Sequence, residues 1–302
     1  MKPCVLKPGD TIAIAAPSSP FDREEFLKGV LVLQNMGFKV IYRDDIFEKN
    51  FYLAGSDERR IDELFDHLEN PAVKALLFAR GGYGLLRILP QIDYRSLQTK
   101  PKIILGYSDI TLLLIHLYQK YGWITFYGPV VAKDLSINLN EATQKSLYAA
   151  LTNSQKPELL ISRQAHTIKS GQTEGVLVGG CLSLVCSSLG TSYEINTDDK
   201  ILFLEDTNEK PYAVDRLLTQ LVLANKLKKV RGIVFGNFVN GADTLAYLEA
   251  FKNALHHFKG PIVYNFPIGH GETKLTIPLG VKVSLDADKK CLEFLEAPCL
   301  EK

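Results

Sequence analysis

The feature that most constrains this chain is an alternation of short apolar runs with amphipathic stretches, sustained through its first half. TIAIAAP (11–17), FKVIYRDD, VKALLFA, IILGYS and ITFYG are strand-like. FDREEFLKGVLVLQNMG, SDERRIDELFDHLEN and the stretch from Asp109 to about Tyr121 carry helical periodicity. The first helix should end at Gly37, and Ser56 is placed to cap the second. Strands that are apolar at nearly every residue are buried on both faces, so the pattern predicts a parallel sheet covered by helices on each side. In such sheets ligands bind at the carboxyl ends of the strands.

From about Ala132 to Glu174 the chain turns polar and irregular, with one expected helix around Asn140–Leu151. Beyond it, GVLVGG, ILFLED, GIVFGNF and PIVYNFP read as strands, interleaved with the helices AVDRLLTQLVLANKL and TLAYLEAFKNALHHF. VKVSLDADKKCLEFLEA forms two alternating runs around Asp286-Ala287-Asp288, the pattern of a β-hairpin. A length of 302 residues is long for a single core and favours two domains. The expected division is an N-terminal α/β domain at 1–131, a linker at 132–174 and a C-terminal α/β domain at 175–302, with the site between the domains.

Several function classes are disfavoured. Thirty-five basic and 34 acidic residues, in no long block, give no electrostatic basis for binding nucleic acid. The N-terminal apolar run is short and preceded by Lys7 and Asp10, so no secretion signal is expected. No stretch approaches the roughly 20 apolar residues of a membrane span. Five cysteines (Cys4, Cys181, Cys186, Cys291, Cys299) form an odd set without C-x-x-C spacing, which fits reduced thiols in the cytoplasm. The scattered histidines make no H-E-x-x-H or Cys/His cluster, so neither a metal nor another cofactor is expected.

Chemistry is concentrated at strand ends. Ser108, in KIILGYSDITLLLIHL, sits where a strand turns into a helix. A serine there is either an N-cap or a nucleophile presented to the crevice beside free helix N–H groups. Gly106-Tyr107-Ser108-Asp109 is not G-x-S-x-G, since Ile110 stands in place of the last glycine, and position alone leaves both readings open. A nucleophilic serine needs a base and a group to orient it. His67, His116, His256 and His257 fall in helices or at their ends, and His166 in the linker. His270 differs: it follows a strand and is flanked by Gly269 and Gly271, which permit close approach. Glu205 closes the apolar run ILFLED and is the candidate acid. RGGYGLLR (80–87) also follows a strand; its glycines suit a phosphate, an oxyanion or a plain turn.

Together these segments resemble the LD-carboxypeptidase family of serine peptidases, which includes muramoyl-tetrapeptide carboxypeptidases and microcin C self-immunity proteins. GDTIAIAAPSSP, ARGGYG, GYSD, EGVLVGGCLS, LEDTNEKPYAVDRLLTQL and FPIGHG…IPLG carry the likeness, in family order and across nearly the whole chain. The resemblance implies two α/β domains, with Ser108 as nucleophile, His270 as general base and Glu205 as its orienting acid. It implies an oxyanion hole made by the backbone N–H groups of Gly82 and Asp109. Its activity would be removal of a C-terminal D-amino acid from murein tetrapeptides in cytoplasmic peptidoglycan recycling. The partner would be a small peptide, with no membrane or nucleic acid, and a homodimer is left open.

One departure stands out. Family members commonly read G-G-N-L-S where this chain has Gly179-Gly180-Cys181-Leu182-Ser183, and cysteine cannot replace the asparagine amide. Substrate contacts near Cys181 are therefore open, while the triad is not affected. No extra aromatic loop favours the microcin-immunity branch. Arg80, Arg87 and Arg216 lie near the motifs and suit a terminal carboxylate, with no choice among them. An amidase acting on peptidyl-nucleotide antibiotics, and a non-catalytic two-domain binding protein, are the competing expectations.

Overall fold

The computed structural model describes residues 1–92, 101–137 and 139–301. Five strands come from the first half: β1 (Thr11–Ala15), β2 (Lys39–Ile41), β3 (Val73–Phe78), β4 (Ile103–Gly106) and β5 (Thr125–Tyr127). They pair in parallel in the order β5-β4-β3-β1-β2. The helices α1 (Arg23–Asn35), α2 (Asp57–Glu69), α3 (Leu85–Ile88) and α4 (Thr111–Tyr121) connect them. Their starts follow local chemistry. The Asp22 carboxylate accepts the N–H groups of Glu24 and Glu25, and Ser56 Oγ accepts that of Arg59. α4 stops at Gly122, which takes the left-handed conformation that glycine tolerates.

The stretch 132–174 is more structured than its polar composition suggests. After α5 (Glu141–Thr152) it supplies β6 (Leu160–Ile161) and β7 (His166–Lys169), and β8 (Gln172–Cys181) begins within it. β6 and β7 form the two edges of a second sheet. Short, half-exposed edge strands bury little apolar surface, so they leave no strong apolar run to read. The centre of that sheet is parallel: β8, β9 (Lys200–Thr207), β10 (Gly232–Val239) and β11 (Ile262–Tyr264). The hairpin β13 (Lys282–Asp286) and β14 (Cys291–Phe294) adds to β8 in antiparallel fashion. α6 (Leu182–Ser187), α7 (Pro211–Leu223) and α8 (Thr244–Ala254) complete the set.

One strand crosses over. β12 (Ile277–Leu279) leaves the second sheet and pairs antiparallel with β5, as the edge of the first.

Period-two alternation decides which side chains face the other half of the molecule. On β3, Leu76 and Phe78 join a central apolar cluster, while Ala75 and Leu77 pack on the opposite face. On β9, Ile201 and Phe203 join the same central cluster, and Leu202 and Leu204 face away. The two sheets thus share one core. The next residues along β9 inherit this parity, so Glu205 points toward the first sheet and Asp206 away from it.

Candidate active site

β4 ends at Gly106, and the chain turns through Tyr107 into a short 3-10 turn, Ser108–Ile110, that leads into α4. Ser108 has φ +62°, in the left-handed region. A non-glycine residue costs roughly 1 kcal/mol there. The serine side chain makes no capping bond to the helix, so the cap reading of Ser108 has no support. The strained turn instead holds a half-buried hydroxyl at the carboxyl edge of the sheet, next to the Asp109 N–H, which donates to no protein acceptor among the described residues.

The RGGYG loop lies directly against it. A Cβ on Gly81 would fall 2.7 Å from Ser108 Cβ and 2.9 Å from its Oγ, so only glycine lets the backbone come this close. Ser19 fixes the loop: its N–H donates to Gly81 O at 3.3 Å and its Oγ accepts the Tyr83 N–H at 3.1 Å. Gly82, at φ +113°, donates its N–H to no protein acceptor among the described residues. Asp109 joins three loops from beneath. Its Oδ2 accepts the Ser18 hydroxyl at 2.6 Å and the Leu85 N–H at 2.9 Å, and burial pushes its carboxyl up to about 6.

The acid and the candidate base meet. Glu205, fully buried, receives the His270 ring Nδ1 at 2.7 Å and the His270 backbone N–H at 2.9 Å, both on Oε2. In a neutral imidazole that donates Nδ1–H to this carboxylate, Nε2 is left free to accept a proton. Gly269, at φ +100°, is required here, since a Cβ on it would overlap the Glu205 carboxylate. No direct hydrogen bond joins Ser108 Oγ to His270 among the described residues. Tyr107, next to Ser108, packs at a tilt against the His270 ring, 4.7 Å between centroids, which brings the serine turn and the histidine together.

Two tyrosines that sequence reasoning missed complete the arrangement. The Tyr127 hydroxyl donates to Glu205 Oε1 at 2.6 Å and stands 3.5 Å from Ser108 N. The Tyr107 hydroxyl donates to Asp134 Oδ1 at 3.2 Å, and Lys274 Nζ is 3.5 Å from the same oxygen. Each tyrosine ends or follows a strand, and that was the available signal; an aromatic residue at a strand end otherwise reads as core.

The remaining candidates separate. Arg87 is paired with Asp57 at 2.9 Å, on a residue that also holds Arg60. Arg216 is exposed on α7, with its guanidinium 6.0 Å from the Tyr212 ring centroid. Arg80 is exposed, donates to Pro20 O at 3.0 Å and lies close enough to Tyr107 to act on its hydroxyl. Cys181 is buried, and its Sγ contacts Asp206 Oδ1 at 3.4 Å and Ser183 Oγ at 3.3 Å. Burial pushes its thiol well up. Asp206 accepts the Ser183 N–H at 2.8 Å and so caps α6 from the neighbouring strand. The described residues contain no group of three or more histidine, cysteine or acidic side chains able to hold a metal, and no helix long and apolar enough to cross a membrane.

Comparison with known proteins places this geometry. The family model described as the LD-carboxypeptidase N-terminal domain matches residues 12–128, and that of the LD-carboxypeptidase C-terminal domain matches 174–285. A probable murein peptide carboxypeptidase of Bacillus subtilis (strain 168) is 35% identical over 301 residues, covering 96% of this chain and 92% of that protein. The microcin C7 self-immunity protein MccF of Escherichia coli is 30% identical over 327 residues, covering 96% and 94%. The structure of MccF in complex with glutamyl sulfamoyl guanosine superposes with a TM-score of 0.89 at 28% identity, over 99% of each chain.

Proposed function

The chain belongs to the LD-carboxypeptidase family of peptidases, and from that premise we propose that it is a serine LD-carboxypeptidase releasing a C-terminal D-alanine from murein tetrapeptides. The observation that carries the reading is the Glu205–His270 contact at 2.7 Å, with the strained Ser108 turn brought against the His270 ring through Tyr107. Its place is peptidoglycan recycling in the cytoplasm.

Ser108 Oγ attacks the carbonyl carbon that precedes the terminal D-residue, and His270 Nε2 takes the hydroxyl proton. Glu205 holds the imidazole in the Nδ1–H tautomer and balances the positive charge it gains. The oxyanion is received by the N–H groups of Gly82 and Asp109, which the glycine loop and the helix start hold in advance. The C–N bond then breaks, and the imidazolium returns its proton to the leaving amine. Water, deprotonated by the same histidine, attacks the acyl-serine; the C–O bond to Ser108 breaks, the imidazolium returns its proton to Ser108 Oγ, and the shortened peptide is freed. Arg80 is the arginine best placed to meet the substrate's terminal carboxylate, because Arg87 is already held by Asp57.

A second reading, cleavage of a peptidyl-nucleotide amide, draws support from the likeness to MccF. A paired assay separates them. Purified protein is incubated with an L,D-tetrapeptide and with a peptidyl-nucleotide, while a fluorophosphonate probe reports on Ser108. Probe labelling of Ser108 with turnover of the tetrapeptide is the expected result. Turnover of the nucleotide conjugate alone would transfer the assignment to the amidase. A protein that neither labels nor turns over either compound would be a binding protein.

A further inference from the structure

We propose that Tyr127 is a positioning residue of this site: its buried hydroxyl ties the serine turn of the first domain to the acid of the second, and sets how strongly Glu205 supports His270. The inference rests on the catalytic reading above.

Tyr127 ends β5, on the strand parity that faces the central core. Its ring packs edge-on against Phe203 at 5.2 Å and Tyr107 at 6.1 Å, and a Cβ on Gly180 would come 3.0 Å from it. The ring is therefore fixed from β9, from the serine turn and from the end of β8. Only its hydroxyl is polar; it donates to Glu205 Oε1 at 2.6 Å, and the Thr111 hydroxyl also acts on it. Burial and the neighbouring carboxylate both push the Tyr127 hydroxyl well above its ordinary range, so it stays protonated and donates. Its lone pairs face the Ser108 N–H at 3.5 Å.

The consequence is a continuous path. Ser108 N–H approaches the Tyr127 oxygen, the Tyr127 hydroxyl donates to Oε1 of Glu205, and Oε2 of the same carboxylate holds His270. A hydrogen bond donated to a carboxylate draws off part of its charge. Tyr127 thus moderates the field that Glu205 exerts on the imidazole while fixing the carboxylate plane. Other groups that bear on Glu205 are Asp206 beside it, Cys181 paired with it on β8, and Tyr107, which itself feels Asp134 and Arg80. None of these donates to Oε1, so the hydroxyl is the one protein donor on that oxygen among the described residues.

The test is Tyr127→Phe, which keeps the ring and removes the donor. The expected result is a loss of about tenfold in plateau kcat/KM, carried by kcat, with the melting temperature lowered by a few degrees at most. The acid limb of the kcat/KM profile should move to higher pH, because an unmoderated carboxylate stabilises the protonated imidazole. In a Glu205→Gln background the same change should cost less than about twofold, since the partner it acts on is gone. 3-Fluorotyrosine at 127, a stronger donor of nearly the same shape, should shift the limb the other way; it covers the case in which the phenylalanine variant folds poorly. The pH dependence of Ser108 labelling by a fluorophosphonate gives the same reading without any peptide substrate. An unmoved acid limb in both variants, or an equal loss with and without Glu205, would overturn the proposal. A wild-type protein whose Ser108 resists the probe would instead overturn the serine mechanism, and this inference with it.

Discussion

Ile277 pairs with Tyr127 in antiparallel register, so the segment that carries His270 finishes as the edge strand of the sheet that carries Ser108. Its other end is β11, in the second sheet. The loop between is held at both ends by different sheets and cannot swing away from the serine without breaking one of them. α5 adds a third fixing: Thr143 Oγ1 accepts the Lys274 N–H at 3.0 Å, Ser146 Oγ accepts that of Thr276 at 3.1 Å, and Asn140 Nδ2 donates to Thr273 Oγ1 at 3.0 Å. The proposed triad, split between two domains, needs such a device, because domain interfaces otherwise permit relative motion.

The Ser108 turn gives the first prediction. Ser108→Gly removes the proposed nucleophile and also relieves a left-handed backbone, so it should abolish turnover while melting at or above the wild-type temperature. Ser108→Ala should abolish turnover too but keep the strain. Thermal melts beside a turnover assay decide the matter. A glycine variant that melted several degrees lower, with activity retained, would restore the capping role.

Gly269 gives the second. Replacing it with alanine sets a methyl group into the Glu205 carboxylate and adds the cost of φ +100°, together about 1–3 kcal/mol. The loss should be larger in rate than in stability, because the displaced group is the partner of His270. Gly271→Ala meets Asn237 instead and is the control one residue beyond His270. Equal activity in the two variants would mean that the Glu205–His270 contact does not govern the rate.

Ser108 and Glu205 could be named as candidates because each follows an apolar run at or near a strand's carboxyl end, and His270 because it stands between two glycines in the loop after β11. The parallel strands and the helices with side-chain caps were legible for the same reason: local pattern and local chemistry agree. Tyr127 and Tyr107 were not, because an aromatic residue that fills a core and one that donates a hydrogen bond look alike in sequence. β6, β7 and β12 were hidden by their length and by partners more than ninety residues away, or in the other sheet. The carboxylate of Asp109 passed as part of a motif, although it accepts bonds from two other loops.

Asp109 and Asp206 make the third prediction, on pH. Both are buried, and burial pushes each up to about 6 from an ordinary 3.8. Between about 4 and 6 the folded protein keeps protons that the unfolded chain has released. Stability contributed by these groups therefore falls as pH rises through that window, and stays lower above it. Asp45 and Asp57, held low by arginines, act in the opposite sense and only at lower pH. Glu63, pushed up to about 7 by burial, adds to this slope, while His116, pushed down to about 4 by burial, and His67, also pushed down, oppose it in the same window. The aspartate contribution is therefore read as a difference: from pH 4.5 to 7 the melting temperature of Asp206→Asn should fall less, or rise more, than that of the unsubstituted protein. The same pH dependence in both proteins would contradict the assignment.

The last prediction concerns the choice of substrate, and it turns on Arg80. A carboxypeptidase must recognise a free terminal carboxylate, and an arginine whose guanidinium is not already in an ion pair is the natural partner. Arg80→Ala should therefore raise KM with a smaller effect on kcat, whereas Arg87→Ala, which breaks the pair with Asp57, should act mainly on stability. Stereochemistry follows from the same clamp. If the carboxylate stays on Arg80, inverting the terminal α-carbon exchanges the side chain with the hydrogen; if the side chain stays, the carboxylate leaves its donors unpaired. Losing a hydrogen bond to a charged group costs roughly 1.5–3 kcal/mol, or about 10- to 150-fold in rate. A tetrapeptide ending in D-alanine should accordingly be cut, its L-alanine epimer should be cut far more slowly, and a peptide extended beyond the D-residue should also be poor. Release of alanine followed by mass spectrometry on the three peptides measures this directly. Equal cleavage of both epimers would remove the LD-carboxypeptidase assignment even with Ser108 established as the nucleophile.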